Sequence, residues 1–262
     1  MRAELVDLER GRARAMRPQA SATRRDVRPG RHAGFTLIEL AIVLFILTLL
    51  MAGAMTPLSR QIVERQSADT RRGLMDVKTA LLGYALSHRD PDGRPYLPCP
   101  DLRAGPHAND GQEDRLPEGG CAAPGGNLPW LTLGLAESDA WGNRYSYAVA
   151  QAYAHARAGI LAHPAPAAEL RVCLERGCLR PLTAAAVWLS HGPNGLGAMN
   201  AAGRKNRPPD GADEQENTDN DTLFVSRAPT AADRPGGEFD DLVHWLAPDY
   251  LIGRLCGESG AC

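Results

Sequence analysis

One apolar stretch near the N-terminus constrains the fold of this 262-residue chain more than any other feature. Residues 35–55 contain only three polar side chains, those of Thr36, Glu39 and Thr48. At about 1.5 Å of helical rise per residue, the stretch is about 32 Å long, close to the roughly 30 Å hydrocarbon thickness of a bilayer. It therefore predicts a transmembrane helix.

Glu39 is the unusual residue of this predicted span. An ionisable side chain at mid-membrane costs about 2.5–3.5 kcal/mol, so it is expected to have a partner or a function. The alternative is that Glu39 lies near the cytoplasmic end of the span and reaches headgroup water without any further role. Considered alone, the residue leaves both interpretations open.

Charge is distributed unevenly on the two sides of the span. Residues 1–34 contain nine Arg and four acidic residues, whereas the rest of the chain contains 20 basic and 27 acidic residues. A basic flank before the span and an acidic body after it predict a cytoplasmic N-terminus and an exported body. A nucleic-acid-binding arm is the weaker alternative, because topology and processing explain an Arg-rich segment in this position.

The residues around Glu39 form a more specific pattern. The string Gly34-Phe35-Thr36-Leu37-Ile38-Glu39, followed by fourteen small or apolar residues, resembles the cleavage and methylation signal of type IV pilins and pseudopilins. The resemblance implies that a prepilin peptidase cleaves between Gly34 and Phe35, that Phe35 becomes N-methylated, and that Glu39 sets the filament register. The new amine of Phe35 can pair with Glu39 of a neighbour, and breaking a buried pair costs about 3–5 kcal/mol.

Four segments follow from this pattern: a cleaved basic leader (1–34), a transmembrane half-helix (35–56), an amphipathic spine helix (57–88) and a periplasmic globular domain (89–262). A start at Met16 would shorten the leader to 19 residues. Apolar side chains at spacings of three and four predict the buried face of the spine: Leu58, Ile62, Leu74, Val77, Leu81 and Ala85. The alternative for residues 58–88 is an ordinary surface helix after a signal anchor.

Six cysteines, all on the side predicted to be exported, predict three disulfides: Cys99, Cys121, Cys173, Cys178, Cys256 and Cys262. Sequence alone allows fifteen pairings. Local closure favours Cys173 with Cys178 and Cys256 with Cys262, which leaves Cys99 for Cys121 in the turn-rich segment 89–129. A zinc site is disfavoured by the spacing of the close pairs.

The globular domain shows strand signals. Tyr145, Tyr147 and Val149 alternate with smaller or polar residues, which predicts a half-buried strand. The string from Asp139 to Tyr147 is similar to the Asp-x-Trp-Gly-Asn-x-Tyr-x-Tyr string of the major pseudopilin of type II secretion. Further strands are predicted at Leu170–Leu174, Ala186–Ser190 and Thr222–Val225, and Phe239–Arg254 is predicted to be a last strand or helix. The expected fold class is α+β and pilin-like, with the long N-terminal helix packed on an antiparallel sheet.

An acidic segment lies between residues 210 and 221. Eight of its twelve residues are Asp, Glu or Asn: Asp210, Asp213, Glu214, Glu216, Asn217, Asp219, Asn220 and Asp221. Calcium binds six to eight oxygens and would relieve the repulsion, and the major pseudopilin has a calcium loop in a comparable place. Calcium is therefore a candidate cofactor, with Asp213, Glu216, Asp219 and Asp221 as candidate ligands. The alternative is a solvated acidic loop without metal.

The sequence predicts a structural protein and not an enzyme. Ser190 and His191 are adjacent on a predicted strand and point to opposite faces, so they cannot act together as nucleophile and base. The resemblance implies a pseudopilin or minor pilin that assembles into a filament of a type II secretion or type IV pilus system. The alternative is a membrane-anchored periplasmic calcium-dependent binding module that does not polymerise, and such a tether gains nothing from Glu39.

The same resemblance implies the partners and the localisation. The expected partners are the prepilin peptidase, other pilins or pseudopilins bound through the N-terminal helix, and an inner-membrane assembly platform; nucleic acid is not expected. The protein should cross the inner membrane once, with its N-terminus in the cytoplasm and its C-terminal domain in the periplasm. The assembled filament would lie in the periplasm or at the cell surface.

Overall fold

The structure, a computed structural model, describes residues 34–105, 107–160, 168–174 and 178–256, without the side chains of residues 52–60. The chain divides into two compact units, Met1–Gly53 and Ala54–Cys262. All of the predicted leader except Gly34 lies outside the described residues, as do the side chains at the end of the predicted span. Within the described part of the chain, none of the helices is both long and apolar enough to cross a membrane.

The first helix, α1, extends over Leu37–Ser87, close to the predicted helix of 36–88. Its buried face consists of Leu74, Val77, Leu81 and Ala85, as the spacing predicts. The prediction was wrong for Ile62, which is 52% exposed. The reason is that the loop at Ala140 meets the helix only about one turn later, where Gln66 Nε2 donates to the Ala140 carbonyl (3.2 Å) and the Ala140 N–H donates to Thr70 Oγ1 (3.2 Å). Leu58 lies outside the described side chains.

The strands form two sheets. Their bounds are β1 Gly125–Asn127, β2 Ser146–Val149, β3 Leu170–Cys173, β4 Leu182–Ala184, β5 Ala186–Ser190, β6 Leu223–Val225 and β7 Leu242–Leu246. The first sheet has the order β1-β2-β5-β7 and is antiparallel throughout; the second has the order β4-β3-β6, in which β3 and β6 run parallel. The α+β class is confirmed, and the small second sheet is an addition to the prediction.

Four shorter helices complete the fold: α2 Trp130–Leu133, α3 Gln151–Ala154, α4 Ala212–Glu216 and α5 Pro248–Cys256. The segment predicted as a strand or helix thus contains both β7 and α5. The indole of Trp188, fully buried in β5, donates from Nε1 to the Leu74 carbonyl of α1 (2.9 Å), which ties the first sheet to the helix. Position 73 of α1 requires glycine for a steric reason, because a Cβ there would overlap the Tyr145 hydroxyl.

Strand β2 is buried on both faces, so the prediction of a half-buried strand was wrong. On one face the Tyr147 hydroxyl donates to the Pro98 carbonyl (3.1 Å). On the other face Ser146 is covered by Arg103 and His191, both within hydrogen-bond distance of its hydroxyl. Alternation of large and small residues therefore did not reveal that polar side chains from distant loops cover the second face.

Disulfides join Cys99 to Cys121 and Cys173 to Cys178. Cys256 is also disulfide-bonded, while its predicted partner, Cys262, lies outside the described residues. The turn-rich segment around Cys99 is further held by Glu113, which accepts hydrogen bonds from the Tyr84 hydroxyl (2.7 Å) and the Cys99 N–H (2.8 Å). Through Glu113, the turn-rich segment is therefore attached to Tyr84 of α1.

Candidate functional site

The start of α1 is organised by a reciprocal pair of residues, Thr36 and Glu39. The Thr36 N–H and hydroxyl both donate to Glu39 Oε2 (3.1 Å each), and the Glu39 N–H donates to Thr36 Oγ1 (3.3 Å). This is a capping box, which satisfies backbone donors that the first helical turn leaves free. It holds the Glu39 carboxylate against the N–H of Thr36. The preceding residue is Phe35, whose nitrogen would become an amine on cleavage after Gly34.

Gly34 has no steric neighbour among the described residues. A Cβ added at this position would meet no atom within 4 Å. A larger residue is therefore tolerated by the fold, and any requirement for glycine here comes from a partner that binds this backbone closely, as a peptidase does.

The helix that follows exposes apolar side chains over its whole circumference. Phe35 is 81% exposed and Leu37 is 89% exposed. Ten further large apolar side chains up to Leu50 are 48–69% exposed, and Met51 is 61% exposed: Ile38, Leu40, Ile42, Val43, Leu44, Phe45, Ile46, Leu47, Leu49 and Leu50. Contiguous apolar surface of this size marks a contact with a membrane or with other proteins.

An exposed acidic cluster contains three of the four predicted calcium ligands. One carboxylate oxygen each from Glu216, Asp219 and Asp221 lies within 4.8 Å of the others. The fourth, Asp213, accepts a charged hydrogen bond from Arg227 Nε (2.5 Å) instead. Partial burial raises the pKa of Glu216, and the charges of Asp221 and Asp219 raise it further. Whether this cluster binds calcium stays a prediction.

A second acidic cluster is buried and was not predicted from the sequence. It combines Glu214 of α4 with Asp240 and Asp241, the two residues before β7, and one oxygen from each lies within 4.8 Å of the others. The Asp240 N–H donates to Glu214 Oε1 (2.8 Å), and the Asn194 N–H donates to Asp240 Oδ2 (3.1 Å). Asp241 Oδ2 accepts a hydrogen bond from Asn217 Nδ2 (2.8 Å). Three loops therefore meet at these carboxylates.

Two oxygens of the buried cluster, Glu214 Oε2 and Asp240 Oδ1, have no partner at ordinary hydrogen-bond geometry among the described residues. The side-chain amide of Asn194 is close enough to Glu214 to lower its pKa and so offsets part of the effect of burial. Burial raises the pKa of Glu214 to about 7, and burial together with the charge of Glu214 raises the pKa of Asp240 to about 7. Carboxylates in such surroundings need either protons or a cation. Hard oxygen donors with free lone pairs fit a cation such as calcium, and here they fit better than the exposed cluster does.

Asp241 of this cluster also stands in line with His191 and Ser146, in the order of a serine hydrolase triad. His191 Nε2 lies 2.8 Å from Ser146 Oγ, and His191 Nδ1 lies 3.7 Å from Asp241 Oδ1. The Ser146 hydroxyl, however, accepts a charged hydrogen bond from Arg103 Nη2 (2.6 Å), which lowers its nucleophilicity. The adjoining cavity of about 20 Å³ has room for about one water molecule. This geometry supports a structural role for the three residues.

One feature of the sequence points to the buried cluster, but the many acidic residues of segment 210–221 drew attention away from it. Asp240 and Asp241 are adjacent acids directly before an apolar strand, where solvent exposure of both is unexpected. Their contact with Glu214 depends on the tertiary path of the chain and is not visible in any local spacing. Among the predicted site residues, Glu39 is bonded to Thr36, the residue directly after Phe35. The structure separately brings together Glu216, Asp219 and Asp221.

Comparison with known proteins bears on the N-terminal site. Residues 30–55 match the family model of the prokaryotic N-terminal methylation motif, which marks structural pilin-type proteins. No curated protein and no solved structure matches the chain. The matched segment contains Gly34 and Phe35, which directly precede the Thr36–Glu39 capping box, and Glu39 itself. The chain therefore carries the prepilin-type cleavage and methylation signal, which supports its assignment as a type IV pilin-like or pseudopilin subunit.

Proposed function

We propose that this protein is a structural subunit that polymerises through its N-terminal helix after cleavage between Gly34 and Phe35. The observation that carries the proposal is the apolar surface of residues 35–51, exposed on every side and preceded by a processing signal. Lipid would cover this surface before assembly, and the same helices of neighbouring copies would cover it in a filament. The body would then lie in the periplasm, attached to the inner membrane by residues 35–56.

Glu39 has a defined electrostatic task in this proposal. In the uncleaved chain its carboxylate is satisfied by Thr36. Cleavage would add a positive amine at Phe35, the residue directly before Thr36, in a medium of low dielectric constant. An amine buried without a counter-charge is strongly unfavourable, so packing of processed helices requires a carboxylate at each amine. The acid of one copy or of its neighbour then fixes the axial position of the helices.

Processing is tested by mass spectrometry of the protein purified from its native membrane. We expect a mature chain that begins at N-methylated Phe35. Gly34→Val should abolish cleavage without disturbing the fold, and Gly83→Val is the matched control, since a Cβ at Gly83 also meets no atom within 4 Å. A native N-terminus upstream of Phe35 in cells that contain the peptidase would overturn the proposal.

Polymerisation is tested by cysteine cross-linking in membranes. Two cysteines on opposite sides of the helix, Leu44→Cys with Ile46→Cys, should give a ladder of cross-linked copies. Glu39→Gln in the same background should remove the ladder while cleavage continues. Glu64→Gln, the same chemical change at an exposed position of α1, is the control and should keep the ladder. An undiminished ladder with Glu39→Gln would favour the alternative, a tethered periplasmic binding module that does not polymerise.

We also propose that the exported domain holds a divalent cation, with calcium as the candidate, at Glu214, Asp240 and Asp241. Two buried carboxylate oxygens without a hydrogen-bond partner support this site over the exposed cluster of Glu216, Asp219 and Asp221. The cation would neutralise charges that otherwise oppose folding, and it would join α4 to the segment before β7. Calorimetric titration of the detergent-solubilised full chain with calcium measures the binding, and no heat change at any calcium concentration would contradict it.

A further inference from the structure

A groove of about 420 Å³ lies between α1 and α5. Apolar side chains form much of its lining, among them Met75 and Leu86 of α1, each 52% exposed, and Tyr250 of α5, 42% exposed. Gly83 leaves its wall open, because a Cβ there would meet no atom within 4 Å. No described residue covers these apolar side chains, and apolar side chains gathered in one groove indicate a binding surface.

The rim of this groove is basic. Lys78 and Arg254 line it directly, and two arginines, Arg71 and Arg72, line an adjoining hollow together with Met75 and one acid, Asp76. Arg72 forms an exposed pair with Asp69 (3.0 Å), and Lys78 Nζ lies 4.2 Å from the centre of the Tyr250 ring. In the part of the chain that the structure describes, Arg71, Lys78 and Arg254 have no carboxylate within ion-pair distance.

The same domain carries a complementary surface in the exposed acidic cluster. Glu216, Asp219 and Asp221 crowd together at the surface, and among the described residues none of them forms an ion pair with a basic side chain. After residue 34 the chain has 27 acidic and 20 basic residues. The basic side chains around the groove therefore lie on a domain that is acidic overall. One copy of the chain thus offers both halves of an electrostatic contact.

We propose that the groove between α1 and α5 binds the Glu216–Asp221 loop of a second copy of this chain. The contact is head-to-tail, since the groove of one copy meets a different surface of the next, and such heterologous contacts extend into filaments when the rotation does not close a ring. It rests on the proposed function, because it assigns the surface through which exported domains of a filament touch. Exposed charges are screened by salt, so the contact weakens as ionic strength rises.

The test replaces Thr79, an exposed residue that lines the groove, with the photoreactive amino acid benzoylphenylalanine in the full chain. After irradiation of cells, we expect a product of twice the subunit mass. Its tryptic digest should join peptide 79–89 to peptide 206–227, which contains the whole acidic loop. The control is the same replacement at Leu131, which is also exposed, and it should give no product with peptide 206–227.

Charge reversal gives the decisive comparison. Lys78→Glu with Arg254→Glu, or Asp219→Lys with Asp221→Lys, should each lower the yield of the cross-linked dimer about tenfold, and expressing the two variants together should restore the dimer. The ladder of the Leu44→Cys, Ile46→Cys variant measures polymerisation independently. A ladder without the 79-to-loop product overturns the groove contact alone, whereas absence of both overturns the filament as well. Cross-links to another protein or to lipid also overturn the proposal.

Discussion

The two acidic clusters begin two residues apart on the same short helix, yet they lie in opposite surroundings. Glu214 is 1% exposed and meets Asp240 and Asp241 in the interior, whereas Glu216 lies near the surface beside Asp219 and Asp221. On a helix, residues two positions apart point to nearly opposite sides. The face of α4, and not the spacing of acids along the chain, therefore decides which carboxylates are desolvated. We expect the buried cluster to control stability and the exposed cluster to control contacts.

The largest expected effect is the loss of calcium stabilisation on changing the buried cluster. Calcium at a hundredfold excess over its dissociation constant should stabilise the wild-type protein by about 2.7 kcal/mol, or about 5–10 °C in melting temperature. Glu214→Gln should remove most of this shift, because a neutral amide cannot compensate the cation. Thermal melting of the detergent-solubilised full chain, with calcium or chelator, measures the difference.

Glu216→Gln is the matched control for this measurement. The same chemical change two residues along α4 should leave the calcium shift intact, since Glu216 belongs to the exposed cluster. The opposite result, a shift removed by Glu216→Gln and retained by Glu214→Gln, would place the cation in the surface loop. Without calcium at pH 8, Glu214→Gln should be at least as stable as wild type, because it removes a buried negative charge.

The second prediction concerns pH in the absence of calcium. Burial raises the pKa of Glu214 and of Asp240 to about 7 in the folded protein, while unfolded carboxyls titrate near 4. Between about pH 4 and pH 7 the folded state therefore binds more protons than the unfolded state, so the free energy of unfolding falls as pH rises through this window. Saturating calcium should reduce the fall, and burial of Asp101, which raises its pKa to about 6, should account for part of what remains. Denaturant unfolding at several pH values, with and without chelator, tests this; a chelated protein whose stability rises over the window contradicts it.

The sequence predicted those features whose causes are local. The signal from Gly34 to Glu39, the strand at Ala186–Ser190 and the spine face around Leu81 depend on residues within one or two turns. The capping pair of Thr36 and Glu39 is equally local but was not predicted. The buried cluster could not be predicted, because Glu214 and Asp240 are joined only by the tertiary path of three loops. Ile62 fits the helical period but is exposed, because periodicity defines a face and does not show how far the partner surface extends.

The third prediction concerns the loop that closes over the buried cluster. Gly192 has φ +61°, and a Cβ there would overlap Asp240 Oδ1. Gly192→Ala should therefore combine backbone strain with displacement of a cluster carboxylate, at a cost of about 1–3 kcal/mol, and should weaken the calcium response. Gly134→Ala is the control, because Gly134 also has positive φ (+66°) but an added Cβ meets no atom within 4 Å. Its cost should be about 1 kcal/mol, with an unchanged calcium response; equal effects of both substitutions on calcium would contradict the assignment.

The smallest expected effect on stability is that of the exposed cluster. Asp219→Asn with Asp221→Asn should change the free energy of unfolding by no more than about 0.5 kcal/mol, because both side chains are solvated. The direction should be stabilising, since removing two of three crowded negative charges relieves repulsion on Glu216, whose pKa should then fall towards its ordinary value. Denaturant unfolding in low salt, repeated in high salt where screening removes the difference, measures this. A loss of several kcal/mol would mean that these carboxylates, like the buried ones, hold the domain together, and the division of roles between the two faces of α4 would not stand.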